Sequence, residues 1–293
     1  MKSAIVTNLR PEFEPVAVVW SDTIPDDARQ FKKGKFGCIL YLFAEASLRG
    51  KVAGGNRETI TCNGGRAALG LGVDFDSSDQ QLDHYAAVFS KGLKSTNNQE
   101  AYLSHIEAAP KNWRSLLEFG ERRHCTADLA KEWILHGLPR YDIPHEYVLF
   151  KPLRRTDSDE NIRAVIFPVN PVELSSLVTL AGSVMQGTDS VRAPQGACCN
   201  SISAFAYAEA ESAEPKAVMG MLGVEGRNEH IYSNVLGDLM ESLVNVPGEK
   251  DAVFTRSKSR DNISIFFEHV VFSRKIGFSA GFLANWSSQF GWY

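Results

Sequence analysis

Residues Cys38–Leu71 read CILYLFAEASLRGKVAGGNRETITCNGGRAALGL, and their changes of texture set the fold class. Ile39, Leu42, Phe43 and Ala46 recur at i, i+3, i+4 and i+7, which predicts an amphipathic helix opened by Cys38. Residues 51–61 predict extended structure with a turn at Gly54-Gly55. Cys62 then stands at an N-cap position, ahead of Asn63, Gly64, Gly65 and the helix-favouring run Arg66-Ala67-Ala68-Leu69.

The rest of the chain repeats the alternation. Pro15–Ser21 (PVAVVWS), His145–Leu153, Arg163–Val169, Lys216–Leu222 and Ile263–Val271 are short β-branched or aromatic runs and predict strands. Val172–Met185 predicts a helix, with Asn170 as cap and Pro171 in its first turn, and Tyr232–Val244 predicts another. Strands interleaved with helices give an α/β or α+β fold, a mixed sheet with covering helices. Residues 73–144 lack strand-like runs. Their helical spacing at 79–91, 97–109, 113–123 and 127–136 marks a mostly helical insertion or lid within a single 1–293 domain.

Composition excludes several classes. A net charge of −4 and a densest basic run of only Lys32, Lys33 and Lys35 argue against a nucleic-acid or membrane-surface protein. Apolar runs fall short of the ~18 residues of a membrane span, and the N-terminus lacks a signal-peptide core. The expectation is a soluble cytoplasmic protein with a small-molecule ligand, and with neither nucleic acid nor membrane as partner. Neither G-x-G-x-x-G nor a P-loop occurs, so a nucleotide cofactor has little support.

Cys38, Cys62, Cys125, Cys198 and Cys199 are the five cysteines. In a reducing compartment they do not form a disulfide framework, and without C-x2-C spacing they form neither a zinc ribbon nor a thioredoxin-like motif. His84, His105, His124, His136 and His145 show no metal-ligand spacing and read as surface or satisfied core side chains. Cys125, beside His124, reads as structural. Gly196-Ala197-Cys198-Cys199 repeats the pattern of small residues, thiol, then helix, with Ile202, Phe205 and Ala206 following. Three cysteine-bearing helix starts result: Cys38, Cys62 and Cys198/Cys199. A helix start has unpartnered N–H groups and favours negative charge, so the Cys62 thiol should be more acidic than an unperturbed cysteine at about 8.5.

Three such thiolates from Cys38, Cys62 and Cys198 would suit a [4Fe–4S] cluster with one iron open to a small ligand or to redox chemistry, or a three-thiolate zinc or copper(I) site. Gly64 and Gly65 would let the backbone approach the bound group. Arg66 and Arg227 are candidates for an anionic substrate, against the alternative of surface ion pairing. Two other readings stand beside this one. Cys62 could be a nucleophile with a histidine base, or the cysteines could pack as small hydrophobes in a non-catalytic binding module.

Pro15-Val16-Ala17-Val18, Cys38 with Ala44 to Gly50-Lys51, and Thr61-Cys62-Asn63-Gly64-Gly65 with Gly70 form one ordered set. Phe150-Lys151-Pro152-Leu153, Val165-Ile166-Phe167 with Asn170-Pro171, and Gly196-Ala197-Cys198 continue it. This set resembles the domain of unknown function 169 family. The resemblance spans most of the chain outside the helical middle and carries no established activity. It implies a protein common in anaerobic bacteria and archaea, which favours iron–sulfur chemistry over a disulfide. It also implies a further Cys-Gly-like element near a later Gly-x-Arg. Here Met221–Arg227 has no cysteine, so no fourth protein thiolate is expected there.

Overall fold

The computed structural model describes residues 3–33, 38–96, 107, 114, 117–120, 124–169, 171–184, 188–194, 198–225 and 264–273. Its described residues fall into two compact units, one within 1–73, 139–222 and 267–293, the other within 74–138 and 223–266.

The first unit is organised on strand β1 (Val16–Ser21), the PVAVVWS run. It pairs antiparallel on one edge with β3 (Tyr147–Pro152) and on the other with β4 (Ile162–Val169). Val18 lies opposite Phe150 on one side and Ala164 on the other, with a register shift after Val18 on the β4 side. β2 (Ala53–Gly55) extends the sheet beyond β3, and β7 (Ser264–Ser273) pairs antiparallel with β4. β6 (Ala217–Glu225) and a two-residue β5 (Val191–Arg192), parallel to each other, complete the strand order β2-β3-β1-β4-β7-β6-β5. The fold is mixed α/β, as the interleaved strands and helices predict.

β1 is apolar at every position but its last because both of its faces are covered. Ala17 and Val19 pack with Leu149, Val165, Phe167 and Val169 beneath Ile5 of α1 (Ala4–Leu9) and Leu177, Leu180 and Ala181 of α6 (Pro171–Val184). Val16, Val18 and Trp20 face the other way and are buried too. On that side lie α2 (Ile39–Arg49), whose Phe43 ring stands edge-on to Phe150 at 6.4 Å, and α8 (Ala204–Glu211), whose Tyr207 stands edge-on to Trp20 at 5.2 Å. The Arg163 guanidinium lies 4.2 Å over the Trp20 ring, a cation–π contact at the end of the same layer.

The periodicity of α2 holds: Ile39, Leu42, Phe43 and Ala46 are all buried. The expected turn at Gly54-Gly55 is a correction. Both glycines lie in β2, and the turn falls at residues 57–59. A Cβ on Gly54 would stand 2.5 Å from the carbonyl oxygen of Val148, so this glycine permits close strand approach and does not bend the chain.

In the second unit, α4 (Asp79–Phe89) is capped by Ser78, whose Oγ accepts from the Gln81 N–H at 3.2 Å. α5 (Ala127–Glu132), capped by Thr126, runs on into a π-helical turn at Trp133–Gly137. α4 and α5 pack together, with Phe89 edge-on to Trp133 at 5.5 Å. Among the described residues of 74–138 there is no strand. Most of the predicted helices at 97–109 and 113–123, together with Tyr232–Val244, lie outside the described residues.

Two outcomes follow from the doubly covered sheet. Phe150→Ala removes a fully buried ring and should cost about 3–5 kcal/mol, read as a lowered urea midpoint. Tyr207 is fully buried, and burial pushes its hydroxyl above the usual tyrosine value of 10.0, against the opposing pull of the Trp20 N–H and of Arg163. Above that value the unfolded chain loses a proton that the folded chain keeps, so stability should fall as pH rises, by at most about 1.4 kcal/mol per unit for this group. Urea melts at about pH 9 and about pH 11 should show a shallower fall in Tyr207→Phe; an equal fall would contradict the assignment.

Candidate thiol site

Cys38 is the N-cap of α2, with φ −81° and ψ 135°, and its carbonyl accepts the Tyr41 N–H at 2.9 Å. Cys62 is the N-cap of α3 (Asn63–Leu69), with φ −73° and ψ 113°, and its carbonyl accepts the Arg66 N–H at 2.8 Å. Both have the extended backbone of a cap. Neither thiol caps its helix, so the sulfurs are not committed to the first-turn amides. α7 (Cys198–Ser201) carries the Cys198-Cys199 pair in its described first turn and packs against both α3 and α2. The three cysteine-bearing helix starts thus belong to helices that meet on α7.

Two of the thiols approach the same glycine, Gly64. A Cβ built there would find the Sγ atoms of Cys62 and Cys199 at 4.0 Å each, and among the described residues no other atom beyond its chain neighbours and its own helix backbone comes as close. The two sulfurs are therefore separated by no more than about 8 Å, twice that distance. Cys38, Cys62 and Cys199 are all half-buried, and none of them is in a disulfide. The Cys199 thiol donates to Oδ1 of the buried Asn200 at 3.9 Å, and Ser203 Oγ donates to the Cys199 carbonyl at 2.6 Å, tying this turn to the start of α8. Two partly accessible thiols within about 8 Å of each other can bind a thiophilic metal or cluster, or take part in thiol exchange.

The remaining candidates are placed as follows. Gly65 is buried against α2, where a Cβ would stand 2.7 Å from Cγ2 of Ile39. Arg66 turns to the far end of its helix: Nη2 donates to the carbonyls of Leu71 at 3.3 Å and Gly72 at 3.2 Å. That serves the C-terminus of α3, where unpaired carbonyls and the helix dipole favour a cation. The side chain of Cys198 and all of Arg227 lie outside the described residues. Among the described residues, no three of His, Cys, Asp and Glu are grouped to hold a metal ion. Cys125 is exposed, so core packing does not account for it, contrary to the structural reading. The His145 ring is held between Asp22 Oδ1 and Asn161 Nδ2, each at 3.1 Å, and His84, His124 and His136 belong to the second unit. Cys199 is the functional candidate that sequence reading left behind Cys198. The doubled cysteine was the available signal, but it could not say which thiol faces α3.

Among the described residues no helix is long and apolar enough to cross a membrane. No curated protein and no solved structure matches the chain. The model of the domain of unknown function 169 family, described as an uncharacterised ArCR, matches residues 4–234, a span that includes β1 and all three cysteine-bearing helix starts. The chain belongs to the domain of unknown function 169 family.

Proposed function

We propose that this is a thiolate-site protein that binds an iron–sulfur cluster of the [4Fe–4S] type through Cys38, Cys62 and one thiol of the Cys198-Cys199 pair. The observation that carries the reading is the approach of the Cys62 and Cys199 sulfurs over Gly64, each 4.0 Å from the same point. Sulfurs ligating different irons of one cluster are roughly 6–7 Å apart, which the limit of about 8 Å accommodates. Thiolate is also the donor that such clusters take. Cys38 supports the reading from the start of α2, a helix packed on the same α7.

Three protein thiolates would leave one iron for an outside ligand, and when bound the cluster would supply Lewis-acid or one-electron chemistry there. The protein's own part is to hold two sulfurs on separate helices, half-shielded from water, with Asn200 against one of them. Hydrogen bonds to cluster sulfur and partial burial are the means by which a protein adjusts such a centre. A Cys62 nucleophile would need an imidazole beside it. The contacts of His145 run to Asp22 and Asn161, and no observation favours that alternative.

The test is anaerobic purification, or reconstitution with ferrous iron and sulfide, followed by iron, acid-labile sulfide and zinc analysis. About four irons and four sulfides per chain are expected, with visible charge-transfer absorption. Cys62→Ser should lose most of both while its far-ultraviolet circular dichroism stays unchanged. A wild-type chain that takes up neither iron nor sulfide, or a folded Cys62→Ser chain with undiminished iron, would overturn the reading.

A further inference from the structure

We propose that Cys199 is the thiol partner of Cys62, and that Gly64 lets the pair hold a bound group by keeping the space beside the two sulfurs clear. The identity of that group rests on the cluster reading above; the pairing and the role of Gly64 do not.

Glycine inside a helix is about 1 kcal/mol less favourable than alanine, and α3 carries two in succession among its first three residues. Packing explains the second. At Gly65 a Cβ would stand 2.7 Å from Cγ2 and 3.5 Å from Cγ1 of Ile39, so alanine could enter only by pushing α2 away. The described residues give no such reason at Gly64. Its φ is not in the left-handed region, and among the described residues a Cβ there would make only two ordinary van der Waals contacts, both at 4.0 Å and both to sulfur. Alanine would fit the backbone and the packing, and would suit the helix better. What a methyl group would take away is the space in front of Cys62 Sγ and Cys199 Sγ.

Cys199 is fixed in its place by contacts on both sides. Its carbonyl accepts from Ser203 Oγ and its thiol donates to Asn200, which is 5% exposed. The thiol-to-carboxamide contact suits the protonated sulfur. With the amide turned over, Asn200 Nδ2 would donate to the thiolate, so the same buried side chain can accompany the sulfur through loss of its proton. A group bound by both sulfurs has to use the space that a methyl at position 64 would share with them, so it needs position 64 bare.

Two measurements test this on the full reduced chain. The first is bridging by dibromobimane, in which two neighbouring thiolates each displace one bromide and become linked through the fluorophore. Peptide mapping should show Cys62 linked to Cys199. Cys198→Ser should keep that bridge, and Cys199→Ser should lose at least nine-tenths of it. A bridge to Cys198, or undiminished bridging in Cys199→Ser, would overturn the pairing. The second measurement compares Gly64→Ala with wild type. The variant should melt at the same or a higher temperature, yet give several-fold less bimane bridge and several-fold less iron and sulfide on reconstitution. A folded Gly64→Ala chain with wild-type bridging would overturn the role of Gly64. If the wild type takes up no iron, the cluster reading fails, while the bridging results still decide the pairing and the role of Gly64.

Discussion

Burial of β1 on both faces and both edges is the constraint on which the rest of the first unit depends. Antiparallel sheets often leave one face to water, and their strands then alternate apolar with polar residues. Val16–Trp20 cannot do so, because α1 and α6 cover one face while α2 and α8 cover the other. Every backbone group of this buried segment needs a partner, and β3 and β4 supply them from either side. An uninterrupted apolar strand is the sequence form of that environment.

The thiol site is a consequence of how the chain leaves and re-enters this layer. α2 is held on β1 and β3 through contacts such as Phe43 on Phe150. The chain then returns as β2, pressed so close to β3 that Gly54 has no room for a side chain, and turns once into Cys62 and α3. Gly65 seats α3 against Ile39 at the first turn of α2, which brings the Cys38 and Cys62 ends of the two helices into one neighbourhood. α7 packs against both helices and adds Cys199. Residues far apart in sequence meet because the sheet fixes where each helix begins.

Two adjacent glycines of α3 stand in different surroundings. Gly65 is required by a neighbouring isoleucine, and its replacement would be resisted by the core. At Gly64, among the described residues beyond its chain neighbours and its own helix backbone, only the two sulfurs would meet a Cβ within 4.0 Å.

Much of the fold was legible in the sequence because burial writes itself into periodicity. The i, i+3, i+4, i+7 spacing from Ile39 marked the buried face of α2, and the β-branched runs marked β1, β3, β4, β6 and β7. The change from small residues to a helix-favouring run placed Cys62 at the start of α3, since local backbone preference changes there whatever the tertiary surroundings. Other features have no local signature. Gly54-Gly55 reads as a turn until a neighbouring carbonyl at 2.5 Å from the missing Cβ explains it as a close strand approach. Arg66 reads as a candidate anion ligand, and only the fold shows its guanidinium on the carbonyls of Leu71 and Gly72, just past the end of its own helix. Adjacent helical residues diverge by about 100°, so of Cys198 and Cys199 one thiol at most can share a direction with a given neighbour. The sequence determined that thiols open three helices. Tertiary packing alone decided that the sulfurs of Cys62 and Cys199 share the space over Gly64, because their separation depends on where α3 and α7 are seated and on nothing within either segment.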